Sequence, residues 1–208
     1  YDEFNYGDTH FRRSDNARAI FNPFVENFIM DAFSTEPFGE ITVQNNGLLA
    51  VVGLTNGKLN QNVTVTSTSD NKPSFYGKLG YDKQLNDDLR LRLTGSWYIN
   101  KGATTGTWLY GGDRAGSRYY NVLYTVPDAN GNTQGGNFDG RYNARFTKIT
   151  AIQFNPFIKF KGLEFFGVYE LANGSNEFTT PQVDTEGDFT QLAGELVYRF
   201  GAPENFYV

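Results

Sequence analysis

From about residue 37 onward, apolar and polar residues alternate with a period of two, and no helical stripe of any length competes with that pattern. The clearest segment has Leu89, Leu91, Leu93, Gly95 and Trp97 interleaved with Arg90, Arg92, Thr94, Ser96 and Tyr98. Phe75, Gly77, Leu79 and Tyr81 alternate in the same way with Tyr76, Lys78, Gly80 and Asp82. Further along, Ile152, Phe154, Pro156, Ile158 and Phe160 alternate with Gln153, Asn155, Phe157 and Lys159. Leu163, Phe165, Gly167, Tyr169 and Leu171 follow, set against Glu164, Phe166, Val168 and Glu170. The last such segment sets Leu192, Gly194, Leu196, Tyr198 and Phe200 against Ala193, Glu195, Val197 and Arg199. Successive strand side chains point to opposite faces, so each segment is a strand with one apolar and one more polar face. Strands are predicted near 37–45, 48–56, 74–84, 89–99, 148–160, 163–171 and 188–200, with another from 206 onward.

The connections sort by length. Short turns fall at Asn45-Asn46-Gly47, Leu85 to Asp88, Lys161-Gly162 and Gly201 to Asn205, and long polar loops at 57–72, 100–147 and 172–186. Short and long alternate without exception, which in a meander puts every long loop at one end. That asymmetry is the signature of an outer-membrane barrel, with short periplasmic turns and long extracellular loops. Several strands also reach the ten or so residues that a tilted strand needs to cross hydrocarbon. Rings near strand ends, among them Phe75, Tyr81, Trp97, Tyr98, Phe160, Tyr198 and Phe200, are placed to form interfacial girdles. The expected fold is therefore all-β, an antiparallel transmembrane β-barrel of the outer-membrane type. A soluble all-β sandwich with aromatic core faces would explain the alternation but not the sorting of the loops.

Composition narrows the function classes. No apolar run approaches the length of a membrane-spanning helix; the longest, Leu48 to Leu54, ends at Thr55. The 208 residues contain no cysteine, which removes disulfide scaffolds, zinc ribbons and thiol nucleophiles. A formal charge of −5, with the basic residues scattered, argues against nucleic acid as a partner. Aromatics at 16% are too many for a disordered chain. The chain opens Tyr1-Asp2-Glu3-Phe4, with neither an initiator Met nor a basic leader. With a polar stretch at 1–35 and a last strand that only begins at Phe206, residues 1–208 read as part of a single barrel domain. A closed eight-stranded barrel lacking a few residues is the alternative.

The polar faces carry the candidate chemistry. Lys78, Asp82, Arg90, Arg92, Lys159, Glu164, Glu195 and Arg199, together with Glu170, are expected to line a lumen, where opposed charges bias which solutes pass. Plain wall chemistry, with charges pairing and holding water, is the simpler reading of each residue alone. Lys78, Arg90 and Arg92 on adjacent strands could form one basic patch favouring anions. Arg12, Arg13 and Asp15, ahead of the mixed apolar run Phe21 to Phe33, mark residues 1–35 as either an inward constriction loop or an outward extracellular one. Asp128, Asn130, Asn132 and Gln134, with Asp139 at the twelfth position, have the spacing of a calcium loop. Thr133 stands where that loop needs glycine, however, and Asp139 where it needs Glu, so a Gly-rich hairpin tip is preferred and no metal or other cofactor is expected. His10, with Asp8 and Ser14 nearby in sequence, is the one histidine, and a lone loop histidine does not make a catalytic site, so no enzyme activity is expected. Asn173-Gly174-Ser175 matches a glycosylation acceptor whose meaning is slight in a bacterial envelope protein.

Phe11-Arg12-Arg13-Ser14-Asp15-Asn16 and the stretch Asn22-Pro23-Phe24-Val25-Glu26-Asn27-Phe28-Ile29-Met30-Asp31 resemble large outer-membrane porin-like proteins of Bacteroidota. So do Lys161 to Leu171 and Leu196 to Gly201. The likeness is one of whole pattern, in general build that of phosphate-selective porins, and it carries over no binding residue. It implies a longer parent chain with a signal peptide, located in the bacterial outer membrane. The expected function is passive diffusion of small hydrophilic solutes, anionic ones favoured, by a barrel in contact with the lipid bilayer and lipopolysaccharide and open to homo-oligomer formation. The alternative is a loop-plugged structural barrel partnering a larger envelope assembly, with Thr107-Trp108-Leu109-Tyr110 and Arg118-Tyr119-Tyr120 as docking surfaces.

Overall fold

Turn chemistry and strand pattern act together in the first hairpin. Asn46 and Gly47 both take left-handed backbone conformations, with φ of 47° and 85°. Two consecutive positive φ values define the type I′ turn whose twist suits an antiparallel pair, and Asn-Gly is its preferred dipeptide. In the computed structural model, which describes residues 37–57, 71–102, 129–131, 146, 148–176, 185–202 and 204–208, this turn joins β1 (Phe38–Asn45) to β2 (Leu48–Thr55). The chain continues through β3 (Ser74–Gln84), β4 (Leu89–Asn100), β5 (Lys148–Phe160), β6 (Leu163–Asn176), β7 (Thr185–Phe200) and the two-residue β8 (Phe206–Tyr207). Every neighbouring pair is antiparallel, and the spatial order is the sequence order.

The result is an all-β, eight-stranded antiparallel meander. Among the described residues the sheet is open: each strand lies beside its sequence neighbours only, and β1 and β8 do not meet. The four short turns share one end of the sheet, and the connections after β2, β4 and β6 share the other. Two strands run further than their sequence pattern predicts. β6 ends at Asn176 rather than 171, and β7 begins at Thr185 rather than 188. Asn173 to Ser175 offer no apolar alternation, so the extension rests on tertiary contacts. Asn173 Nδ2 donates to Asp188 Oδ1 across the pair at 2.9 Å, and the buried Phe146 ring lies on Gly174, where a Cβ would overlap it.

One face of the sheet exposes large apolar side chains, and the other buries ions beside a core that includes Tyr76, Ile149, Phe157, Phe166 and Val168. Ile41, Val43, Leu54, Leu79, Ile152, Phe165, Leu192 and Leu196 are all exposed, Leu192 to 82%. On the other face Lys78 and Arg92 are 1% exposed and Glu170 is 0% exposed. An apolar side chain left in water forgoes about 1.5–3 kcal/mol of burial, and ions taken from water need partners, so both features run against the usual partition of a sheet in water. Aromatic rings gather on the outward face near the turn end, where Phe200 packs edge-on against Tyr198 at 4.7 Å and tilted against Phe206 at 5.4 Å. Tyr98, expected in a girdle, lies instead on the inward face because it alternates with Trp97, and its hydroxyl shares a 2.8 Å hydrogen bond with Ser74 Oγ.

Two of the turns, at Asn46-Gly47 and Lys161-Gly162, also pack against the strand after their hairpin. A Cβ on Gly47 would overlap the carbonyl oxygen of Asp82, and one on Gly162 that of Arg199. Those same backbone stretches bond the turns: Asp82 N–H donates to Gly47 O at 2.8 Å and Arg199 N–H to Gly162 O at 2.7 Å. Replacing Gly162 with alanine should therefore push β7 away from the β5–β6 turn and cost about 2–3 kcal/mol. Urea unfolding measures this, and a midpoint equal to the parent chain's would contradict the packing.

Candidate functional site

Because opposite residues in an antiparallel register share a face, the inward side chains fall into rows that cross the sheet. Nearest the long-loop end, Thr55, Ser74 and Asn100 form a buried network. Ser74 N–H donates to Thr55 Oγ1 at 3.2 Å, and Asn100 Nδ2 donates to Ser74 Oγ at 2.8 Å and to Lys72 O at 3.1 Å. These bonds occupy backbone and hydroxyl groups where the strands part into loops. In the next row Tyr76 lies flat across Gly53, where no Cβ could fit, and its hydroxyl reaches Glu40 Oε2 on β1 at 2.8 Å.

The central rows are polar and dry. Lys78, Ser96, Gln153, Glu170 and Gln191 stand in one register line across β3 to β7, and Thr94 and Asn155 oppose each other in the line beside it. Their arrangement on β5 begins with a proline. Pro156 pairs with Gly167 in register sequence but has no N–H, and the β5–β6 ladder is interrupted between Phe154 and Phe157. Asn155 Nδ2 takes the missing donor's place, bonding Gly167 O at 3.2 Å. With its amide thus oriented, Asn155 Oδ1 accepts from Gln153 Nε2 at 2.8 Å, which turns Gln153 Oε1 outward from the pair. Thr94 Oγ1, Ser96 Oγ and Gln153 Oε1 are all buried and have no hydrogen-bond partner.

Toward the short-turn end the face becomes ionic. Arg90 grips Asp82 with both arms of its guanidinium, at 2.8 Å and 2.7 Å. Arg199 does the same to Glu164, at 2.8 Å and 3.1 Å, while Lys159 stands 3.4 Å from that carboxylate. Lys159 also pairs with Glu204, which the β7–β8 turn carries back over β6. The Arg92 guanidinium sits 4.7 Å above the ring of Phe157, its register partner, and that of Arg199 5.2 Å above Tyr207. Arg90, Lys159, Lys161, Arg199, Asp88 and Glu204 border a cavity of about 660 Å³ at this end.

All eight side chains expected to line a lumen, and Glu170 with them, lie on this one face. The basic patch of Lys78, Arg90 and Arg92 is interrupted, since Asp82 pairs with Arg90 and opposes Arg92 in register. The result is a band of mixed sign. The uncharged members of the face, Thr94, Ser96, Gln153 and Asn155, were not singled out from sequence, although the same alternation places them there. Glu204 carried no sequence signal, because only the fold of the last turn brings it to Lys159. Arg12, Arg13, Asp15, His10, residues 107–110 and 118–120, and positions 128 and 132–139 lie outside the described residues; of the calcium-spaced loop only 129–131 is described, as a turn with Gly131 at φ 80°.

No family model, curated protein or solved structure matches the chain. The reading of this face therefore rests on its own geometry. Asn155→Ala should leave the Gly167 carbonyl without a donor and cost about 1–3 kcal/mol. Pro156→Ala in that background restores a ladder N–H and should recover most of the loss, as read from urea midpoints of the two variants. No recovery would mean that the proline does not create the need for Asn155.

Proposed function

We propose that the chain forms part of the wall of an outer-membrane β-barrel and serves as a porin-like channel for passive diffusion of small hydrophilic solutes. The observation that carries this reading is the row of large apolar side chains exposed across one face while lysine, arginine and glutamate are buried, among apolar neighbours, on the other. No helix among the described residues is long and apolar enough to cross a membrane. An open edge in hydrocarbon would leave backbone groups unpaired, so a membrane-embedded sheet of this kind requires closure by further pairing beyond β1 and β8. Transport of this type needs no bond-making chemistry. The wall contributes hydrogen-bonding groups and a transverse field, with Lys78 and Arg92 on β3 and β4 set against Glu170 and Glu195 on β6 and β7.

One observation favours a second reading, the loop-plugged structural barrel. Lys78, Arg92 and Glu170 are sealed from solvent almost completely, which is unusual for charges lining a wide aqueous pore. Planar-bilayer recording of the full-length protein separates the two. Stepwise ion conductance is expected for the channel, whereas a protein that inserts into bilayers without conducting is the plugged barrel.

Placement in lipid makes a further prediction. Leu192→Arg, at mid-strand on the exposed apolar face, should destabilise the vesicle-inserted protein by about 2–4 kcal/mol. The adjacent Gln191→Arg, on the opposite face, should cost less than half as much. Equal effects on unfolding in vesicles would argue against a lipid-facing apolar surface.

A further inference from the structure

We propose that the exposed apolar face carries a binding groove for one anionic glycerophospholipid of the leaflet at the short-turn end, with an acyl chain lying over Gly95 and the headgroup meeting Lys83. The proposal rests on the membrane placement argued above and gives that surface a specific partner. A cavity of about 650 Å³ opens on this face, walled by Val43, Leu79, Leu93 and Phe154 and floored by Ala50 and Gly95. Val43, Ala50, Leu79, Gly95 and Phe154 are successive register partners from β1 to β5, so the groove crosses five strands, about 19 Å at the usual strand spacing. Its depth comes from the small residues. A Cβ on Gly95 would have no atom within 4 Å, although Leu79 and Phe154 stand on either side of it in register. A gap of this kind in a continuous apolar surface has room for a narrow, flexible hydrocarbon chain, and its span is comparable with one leaflet's hydrocarbon depth of about 15 Å.

Charge selects the headgroup. The outward phase of β3 and β4 carries no charged side chain from Phe75 to Tyr81 or from Leu89 to Ile99. The first one is Lys83, one side-chain repeat or about 7 Å beyond Tyr81, which itself lines the groove at its turn end. Lys83 is exposed and lies beside Gly47. Its neighbour Asp82 points to the other face, where both arms of Arg90 hold it. Asn45, exposed at the same rim, adds amide donors. The carboxylates in the outward phase of β7, Glu186 and Asp188, stand at the opposite, long-loop end. A second copy side by side in the same bilayer orientation would therefore bring another lysine to this level and, from the described strands, no outward carboxylate to meet it. A lipid phosphate accepts from both the ammonium and the amide while its acyl chain fills the groove. A zwitterionic headgroup brings its own cation to Lys83, so a net negative one is preferred.

The test titrates delipidated, detergent-solubilised full-length protein with dioleoyl phosphatidylglycerol, and with dioleoyl phosphatidylcholine as the net-neutral lipid of equal chain length. Native mass spectrometry counts the bound lipid. Expected is one saturable site that takes phosphatidylglycerol about fivefold more tightly than phosphatidylcholine, the factor one lysine contributes beside an anionic headgroup. Lys83→Gln should bring phosphatidylglycerol to the phosphatidylcholine level and leave phosphatidylcholine unchanged. Gly95→Leu, for which the groove has room, should fold as the parent does and weaken both lipids about tenfold. Equal affinities for the two lipids in the parent would overturn the headgroup assignment, and a Gly95→Leu variant that binds like the parent would overturn the groove. A lipid-free dimer that Gly95→Leu dissociates would make a second copy the occupant and overturn the proposal. Stepwise conductance by a protein without the lipid preference leaves the channel reading standing while the site fails. Preferential binding by a protein that does not conduct overturns the channel and upholds the site.

Discussion

The pleat is the constraint on which everything else in this sheet depends. With a side-chain period of two, one residue of register decides whether a whole strand presents lysine or leucine to a given side. In this chain all seven long strands hold the same phase, so that the register sets the exposed apolar residues beside one another from Ile41 on β1 to Leu196 on β7 and keeps the ions together on the other face. A slip in any one hairpin would bring buried ions such as Arg92 or Glu170 to the apolar face. The tight turns guard against that slip. Asn46-Gly47 and Lys161-Gly162 leave no spare residue, and each glycine is wedged against the backbone of the following strand.

A single residue shapes the middle of the polar face. Pro156 removes a donor from a central strand, a position where proline is seldom tolerated. The local remedy, Asn155 on the Gly167 carbonyl, also sets the orientation of Gln153. The same opposition explains Gly167, whose hydrogen leaves room where a Cβ would press on the proline ring at 3.0 Å. A defect in the ladder has thus been turned into a fixed polar surface two residues away. The ionic end of the face works differently. Its bidentate Arg90–Asp82 and Arg199–Glu164 pairs are partly exposed, so they order side chains and neutralise charge more than they stabilise the fold.

Most of the architecture is legible in the sequence. The strict alternation in Leu89–Tyr98 and in Leu163–Leu171 marked strands and their faces, because a period of two has no other common cause. The Asn-Gly and Lys-Gly turns marked hairpins, and the charged wall residues followed from the polar phase of each strand. Less legible were segments whose structure depends on what lies across from them. The extension of β6 through Asn173 to Asn176 needs the opposing β7 chain, and the position of Glu204 needs the last turn to fold back. Tyr98 lies near a strand end but in the polar phase, and its phase, not its nearness to the end, sets the face on which it is buried.

By itself, then, the sequence determined the strands, their order along the chain, the sorting of turns and loops, and which residues share a face. These are properties of local backbone geometry and of period, which act over a few residues. The tertiary structure decided that the polar phase is the buried one, that Asp82 divides the basic residues, and that Thr94, Ser96 and Gln153 are left with unpaired oxygens beside a proline-driven amide chain. Those outcomes depend on distances between strands far apart in sequence. A one-dimensional pattern carries the phase of each strand, but it does not carry which partner a side chain meets.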